Sequence, residues 1–391
     1  MSQHSLQAQL KTLSQAKSQQ PNAKAASSLT QFELAYLRMA SAQGIASKHW
    51  LEILSRTALS PHELLTAEND LHAADIDKLK TQTSDKLTSL AIAWEKECAN
   101  HHIVSYDSSN YPCSLKQLDS PPLVLFVVGE PQCLVKPQVA VVGSRRASVQ
   151  GKQIAKTLAS DLSNNGITVT SGLAMGIDSA AHHGGLVNTG KTIAVMGTGP
   201  DIVYPAKNKS LFDAIVSGKG ACITEFFPGQ GSKPWHFPRR NRIIAALTLG
   251  TLVVEAKIKS GTLITANLAA DLGREVFAVP GNIYHAYAQG CHWLIQQGAK
   301  LVTNVNDIID EIDVEPLQLS IPVDIENEKS EVNSLATDKL LASVDYDITA
   351  IDVIAQRNAV TVSDVMASLL EYELRGLVAA VPGGYIKLRG K

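Results

Sequence analysis

Short apolar runs recur along the centre of the chain, and each ends in glycine or serine. "VAVVG" (139–143), "ITVTSG" (167–172), "TIAVMG" (192–197), "ACITE" (221–225), "GTLVVEA" (250–256) and "EVFAVPG" (275–281) have the length and β-branched content of buried strands. Between them lie segments with helical spacing, such as "QGKQIAKTLASDLSNNG" and "SAAHHGGLV". Strands that alternate with helices predict a parallel sheet wound on both faces, with ligands at the carboxyl ends of its strands. Those ends read "GSRR", "SGLAMG", "GTG", "TEF" and "EAKIKSGTLITA".

The flanks have other patterns. Residues 1–27 are rich in Gln, Ser, Ala and Lys and predict a flexible lead-in. Residues 28–104 predict a small helical domain: Gly44 interrupts its first helix, and Ser60, Pro61 and Glu63 form a capping-box start for a later one. The α/β part is expected over 105–315. An acidic linker follows over 316–340; twelve Asp and Glu against two Lys fall between Thr303 and Asp347. Residues 341–391 suggest a winged helix-turn-helix, with Thr349 and Thr361 as helix caps and two strands around a Pro-Gly-Gly turn. Its candidate recognition helix carries Asp364, Glu371 and Glu373 with only Arg375, a poor match to phosphate, so a protein-contacting or accessory role is expected.

Charge narrows the partners. A formal net charge of -2 excludes a surface coated in base, so any nucleic-acid surface must be local. It is found between Ser232 and Glu275, where seven bases face three acids. "WHFPRRNRIIAAL" sets three arginines at a helix start, where the macrodipole disfavours cations unless an anion sits among them. The bland alternative pairs them with Glu225 and Glu255 at neighbouring strand ends. Trp235, His236 and Phe237 add rings suited to stacking unpaired bases, with core packing expected for Trp235 more than for Phe237. Three turns look ready for anions: Gly143-Ser144 with Arg145, Ser171-Gly172, and Ser260-Gly261-Thr262.

Other chemistry is poorly supported. The third glycine of a dinucleotide fingerprint is replaced by Ile202 in "GTGPDI", and no P-loop is present, so no cofactor is expected. Five widely spaced cysteines predict reduced thiols. No apolar run reaches membrane-spanning length, and the expected setting is cytoplasmic. His182 and His183 read as packing or surface residues. Glu255 could act as a base toward a ribose or fix an arginine.

Taken in order, "VAVVGSRRAS", "TSGLAMGIDSAAH", "TIAVMGTGPDIVYP", "FPRRNRIIAAL", "VVEAKIKSGTLITA" and "REVFAVPG" resemble the DNA-processing protein A (DprA) family of bacteria. The resemblance implies a Rossmann-like domain that binds single-stranded DNA, forms a homodimer and delivers the strand to a RecA-type recombinase in natural transformation. It carries the family's Gly-Ser-Arg onto Gly143, Ser144 and Arg145. Its Arg-Asn-Arg falls on Arg240, Asn241 and Arg242, the preceding aromatic on Phe237, and a basic residue on Lys233. The N-terminal helices resemble a sterile-alpha-motif-like domain, and the C-terminal unit resembles the family's winged helix. The alternative is a phosphoribohydrolase acting on nucleoside monophosphates. Those enzymes carry a Pro-Gly-Gly-x-Gly-Thr loop and a following glutamate where this chain has "KSGTLITA".

Overall fold

The computed structural model of the chain describes residues 29–42, 44–66, 80–312 and 339–388. The expected lead-in, and all of the expected acidic linker except its last two residues, lie outside them.

Among the described residues four helices come first: α1 (Gln31–Ala40), α2 (Ser47–Thr57), α3 (Pro61–Thr66) and α4 (Asp85–Glu97). Reciprocal capping boxes start two of them. The Thr30 hydroxyl accepts from the Glu33 amide while the Glu33 carboxylate takes the Thr30 N–H, and Ser60 and Glu63 repeat the exchange at α3. Gly44 has φ +78° in the α1–α2 connection, a conformation that glycine adopts without strain. Tyr36, Leu37, Met39 and Trp50 pack with Phe126, Leu123 and Leu211 into one apolar cluster, so these helices share a core with the sheet.

The sheet has nine strands: β1 (His101–Ser105), β2 (Val124–Gly129), β3 (Gln138–Val142), β4 (Thr168–Ser171), β5 (Thr192–Val195), β6 (Ala221–Thr224), β7 (Gly250–Val253), β8 (Glu275–Ala278) and β9 (Lys300–Leu301). Their spatial order is β1-β2-β6-β5-β4-β3-β7-β8-β9, parallel from β6 to β9, with β1 and β2 antiparallel at one edge. All six strands expected from the apolar runs are present. Two antiparallel strands and the two-residue β9 come in addition. β1 begins on His101 and His102, and β9 is too short to leave a periodicity.

Seven helices connect and flank these strands: α5 (Val149–Asn164), α6 (Ile177–Gly185), α7 (Lys209–Ser217), α8 (His236–Leu247), α9 (Gly261–Asp271), α10 (Gln289–Gln296) and α11 (Asn306–Ile309). α5 and α6 bury Ala155, Leu158, Leu162, Ile177 and Ala181 in one cluster; α8 and α9 bury Ile243, Ile244, Leu247, Leu263 and Ala266 in another. The sheet is therefore covered on both faces. From β3 the chain steps outward through β4, β5 and β6, then returns to β7 on the other side of β3. Val142 lies beside Val253 in that central pair. The reversal makes the gap beyond β3 and β7 the topological switch point, where ligands of such sheets bind.

The C-terminal unit comprises α12 (Lys339–Ala342), α13 (Ile351–Asn358), α14 (Val362–Leu374) and the hairpin β10 (Val378–Val381) and β11 (Gly384–Lys387). Thr361 caps α14, as expected. Thr349 does not cap α13; its backbone exchanges two hydrogen bonds with Tyr385, which ties it to the wing and leaves Ala350 at the cap.

Candidate nucleic-acid interface

A cleft of about 860 Å³ opens at the switch point, walled by the segment after β3 (Val142–Arg146), the segment after β7 (Ala256–Thr265) and the start of α8. Its charged lining is one-sided. Arg145, Arg146, Lys233, Arg240, Lys257 and Lys259 face a single carboxylate, Asp178. Arg240 is buried; the other five are exposed, and none forms an ion pair with the described residues. Arg145 lies 5.4 Å from the centre of the Phe237 ring, and Lys257 lies 5.0 Å from that of Tyr287. Phe237 in turn packs at 5.5 Å on Tyr204, whose side chain is exposed. Two cations thus stand over rings in the cleft, and the weakly hydrated, planar guanidinium of Arg145 suits contact with a phosphate.

The three turns expected to hold anions have different fates. After β3, the Ser144 amide donates to the Glu255 carbonyl at 2.8 Å, and the Ser144 hydroxyl accepts from the Arg146 amide. The helix starts only at Val149, capped by Ser148. Gly143 and Ser144 are cleft wall, and the groups they present there are the Arg145 and Arg146 side chains. Gly143 sits against Ile177, leaving no room for a Cβ.

After β4, the turn is an anion nest filled by the chain itself. The Asp178 carboxylate accepts from the Gly172 and Ala174 amides at 3.2 and 3.4 Å, and His182 Nε2 accepts from the Leu173 amide between them. Ser171 is fully buried, and its hydroxyl donates to the Val141 carbonyl. Ser171 and Gly172 therefore do not reach the cleft. Gly172 is glycine for a steric reason: a Cβ there would strike the Arg240 guanidinium.

The third turn keeps its first amides. Ser260, Gly261 and Thr262 line the cleft at the start of α9, and the Ser260 side chain makes no capping bond. The Ser260 hydroxyl is buried without a partner among the described residues, as is Arg240 Nε. An uncapped helix start with a free hydroxyl and nearby cations is a place for a phosphate.

The arginines divide as well. Arg240 is 4% exposed, and its guanidinium donates to the Val195 carbonyl beneath the cleft floor. Burial lowers its pKa to about 10 against the pull of Asp178, and burial raises Asp178 itself. Arg242 leaves the cleft altogether. It bonds Glu225 at 2.5 Å and the Ser120 carbonyl at 2.9 Å, and lines a different groove. Arg239 holds the same Glu225 through two bonds. The expectation that Arg242 joins Arg145 as a DNA-contacting residue is thus corrected: Glu225, one strand end away, captures two of the three arginines. Asn241 and Lys233 line the cleft.

Two further expectations are corrected. Glu255 accepts from the Ser148 amide at 2.9 Å and hydroxyl at 2.5 Å, fixes no arginine among the described residues and does not line the cleft. Trp235 is 54% exposed while Phe237 is partly buried, the reverse of the expected packing. His182 is a packing residue: its Nδ1 donates to the Thr192 hydroxyl, which donates to the Val169 carbonyl, so Nε2 is left as acceptor. Sequence reasoning overlooked Tyr204 and Tyr287 as cleft residues, and it placed Arg146, Lys257 and Lys259 at the strand ends without singling them out as contacts. The signal for the lysines is the base-rich segment that follows β7, where Lys257 and Lys259 flank Ile258.

Residues 102–313 match the family model described as DNA recombination-mediator protein A, and residues 328–384 match the DprA winged helix domain. The chain is similar to Protein Smf of Escherichia coli (strain K12), 41% identical over 307 residues that span 76% of this chain and 80% of that protein. It is similar to DNA processing protein DprA of Streptococcus pneumoniae (strain ATCC BAA-255 / R6), 47% identical over 203 residues, 52% of this chain and 71% of that one. The X-ray structure of DNA processing protein A from Streptococcus pneumoniae superposes with a TM-score of 0.61 at 38% identity, covering 73% of this chain and 99% of that one.

Proposed function

The chain belongs to the DNA recombination-mediator protein A family, and from that premise we propose that it binds single-stranded DNA in the cleft at the β3–β7 switch point. One observation carries the reading: five exposed cations without an ion pair among the described residues, set between Tyr204, Phe237 and Tyr287. Phosphates meet Arg145, Arg146, Lys233, Lys257, Lys259 and the open start of α9 at Ser260, Gly261 and Thr262. Phe237 offers a face to a base, Asn241 a hydrogen-bonding edge, and Arg240 a fixed positive charge below. Gly143 and Ser144 hold the loop that aims Arg145.

The protein acts by binding and not by catalysis, as a homodimer in the cytoplasm that hands the strand to a RecA-type recombinase during natural transformation. The family's description as a recombination mediator supports that placement. The phosphoribohydrolase alternative gains nothing from the geometry, because Glu255 is held by Ser148 outside the cleft. Incubation with nucleoside monophosphates should release no free base.

The winged helix is read as a protein-contacting element. α14 is acidic at Asp364, Glu371 and Glu373, and its one base, Arg375, pairs with Glu371. Val362, Met366, Leu370 and Leu374 are exposed along one side of it. The test of the whole reading is affinity for a hairpin-free strand against a blunt duplex of equal length, in the full chain and in a chain lacking 341–391. Both proteins should prefer the single strand, and mixed sequence should bind nearly as well as homopolymer. Equal affinity for strand and duplex would overturn the reading.

A further inference from the structure

A second hollow of about 590 Å³ adjoins the cleft, lying between α1–α2 and the Glu225–Arg242 region. Lys233 lines both hollows. Beside it stands Trp235, 54% exposed and outside the cleft lining, with the Lys233 Nζ 5.6 Å from its ring centre. An exposed tryptophan is informative, since this side chain is ordinarily among the well-covered ones. Its position is fixed from behind. His236 Nδ1 donates to the Gly197 carbonyl at 3.0 Å, and Trp235 packs edge-on against that imidazole at 4.1 Å.

The charge of this groove is positive: Lys233, Arg239 and Arg242 against Glu225 alone, with both arginines already bonded to that carboxylate. On the α2 side, the cap residue Ala46 has no polar group to satisfy the first amides of the helix. An independent sign of a missing polar partner lies beneath. Trp50 lines the groove as a fully buried side chain, and its Nε1–H has no acceptor among the described residues. A buried donor without a partner is costly to leave unmade and is ordinarily matched by water or ligand.

We propose that this groove is a second strand-binding subsite, in which single-stranded DNA leaving the cleft stacks a base on Trp235 and sets a phosphate between Lys233 and the open start of α2. The inference rests on the cleft being the primary DNA site. It assigns the N-terminal helices a direct part in holding the strand, and it makes the footprint longer than the cleft alone.

The experiment compares oligo-dT of about 6 nucleotides, enough for one subsite, with oligo-dT of about 20, by fluorescence anisotropy on the full chain. Two variants are used. Trp235→Ala removes the stacking face. Ala46→Asp puts a carboxylate where the phosphate would sit and at the same time caps α2, so a loss of binding cannot be a loss of fold. Wild type should gain affinity with length. Each variant should leave short-strand affinity unchanged and lower long-strand affinity by about tenfold, the order expected of one stacked base. Long-strand affinity equal to wild type in both variants would overturn the subsite, as would a wild type with no gain from length. Arg145→Ala separates the two ideas: if it weakens neither strand, the cleft reading fails, whereas the subsite fails through the length-dependent difference alone.

Discussion

The turns after β3 and β4 sit side by side at the sheet's carboxyl edge, and both look in sequence like glycine turns ready for an anion. They do opposite things. The β4 turn offers three consecutive amides, at Gly172, Leu173 and Ala174, and closes them with its own Asp178 and His182. The β3 turn has few amides to offer, yet it projects Arg145 and Arg146 unpaired into the cleft. An anion site is therefore not defined by a glycine turn. It is defined by whether the fold supplies its own counter-charge, and here the self-satisfied turn is the rigid floor on which the open one acts.

The largest effect should come from emptying the β4 turn. Asp178→Ala leaves two amides unpaired and removes the nearest counter-charge of the buried Arg240. Unfolding by denaturant should show a loss of about 3 kcal/mol. An unchanged midpoint would mean that the turn is not held by Asp178.

Gly172→Ala attacks the same floor by crowding. The added methyl meets the Arg240 guanidinium, so stability should fall by about 2 kcal/mol. The salt dependence of DNA binding should stay as in wild type, because Gly172 touches no phosphate. A changed salt slope with unchanged stability would move Gly172 from the floor to the interface.

Acid tests the other half of the closure. Burial holds the His182 pKa down at about 3, against an ordinary 6.5. A depressed folded value means that the unfolded chain takes up the proton first. The stabilisation is thus complete above about pH 6.5 and is lost as pH falls toward 3. At pH 5 the loss should be roughly 2 kcal/mol. His182→Gln should flatten that part of the stability profile; a profile identical to wild type would contradict the assignment.

These contrasts mark what the sequence could disclose. The strands, the Ser60–Glu63 capping box and the position of the cleft were legible because each depends on neighbours within a few residues. "GSRR" and "KIKSG" follow strands that the apolar runs reveal, and parallel topology then brings them together. Partnerships were not legible. Gly172 and Asp178 are six residues apart but meet only because α6 folds back over the turn. Arg242 looked like a sibling of Arg145 until Glu225 and Ser120 took its guanidinium. Trp235 and Phe237 exchanged their expected roles because the start of α8 turns Phe237 toward Gly197 and Tyr204. Charge counting predicted that two acids, Glu225 and Glu255, could not neutralise the cluster; it could not predict that Glu225 would take Arg239 and Arg242.

The central claim is that Arg145 meets phosphate while Arg242 holds structure, and one paired measurement tests it directly. Affinity for single-stranded DNA is determined over a range of salt concentrations for wild type, Arg145→Ala and Arg242→Ala, with melting temperatures on the same preparations. Arg145→Ala should flatten the log–log salt slope by about 0.7, the value for one lost contact to a single strand, and leave the melting temperature unchanged. Arg242→Ala should retain the slope and lower the melting temperature, because Glu225 loses its more buried partner, at a cost of about 1–3 kcal/mol. The reverse pattern, with an unchanged slope for Arg145→Ala and a flattened one for Arg242→Ala, would contradict the account.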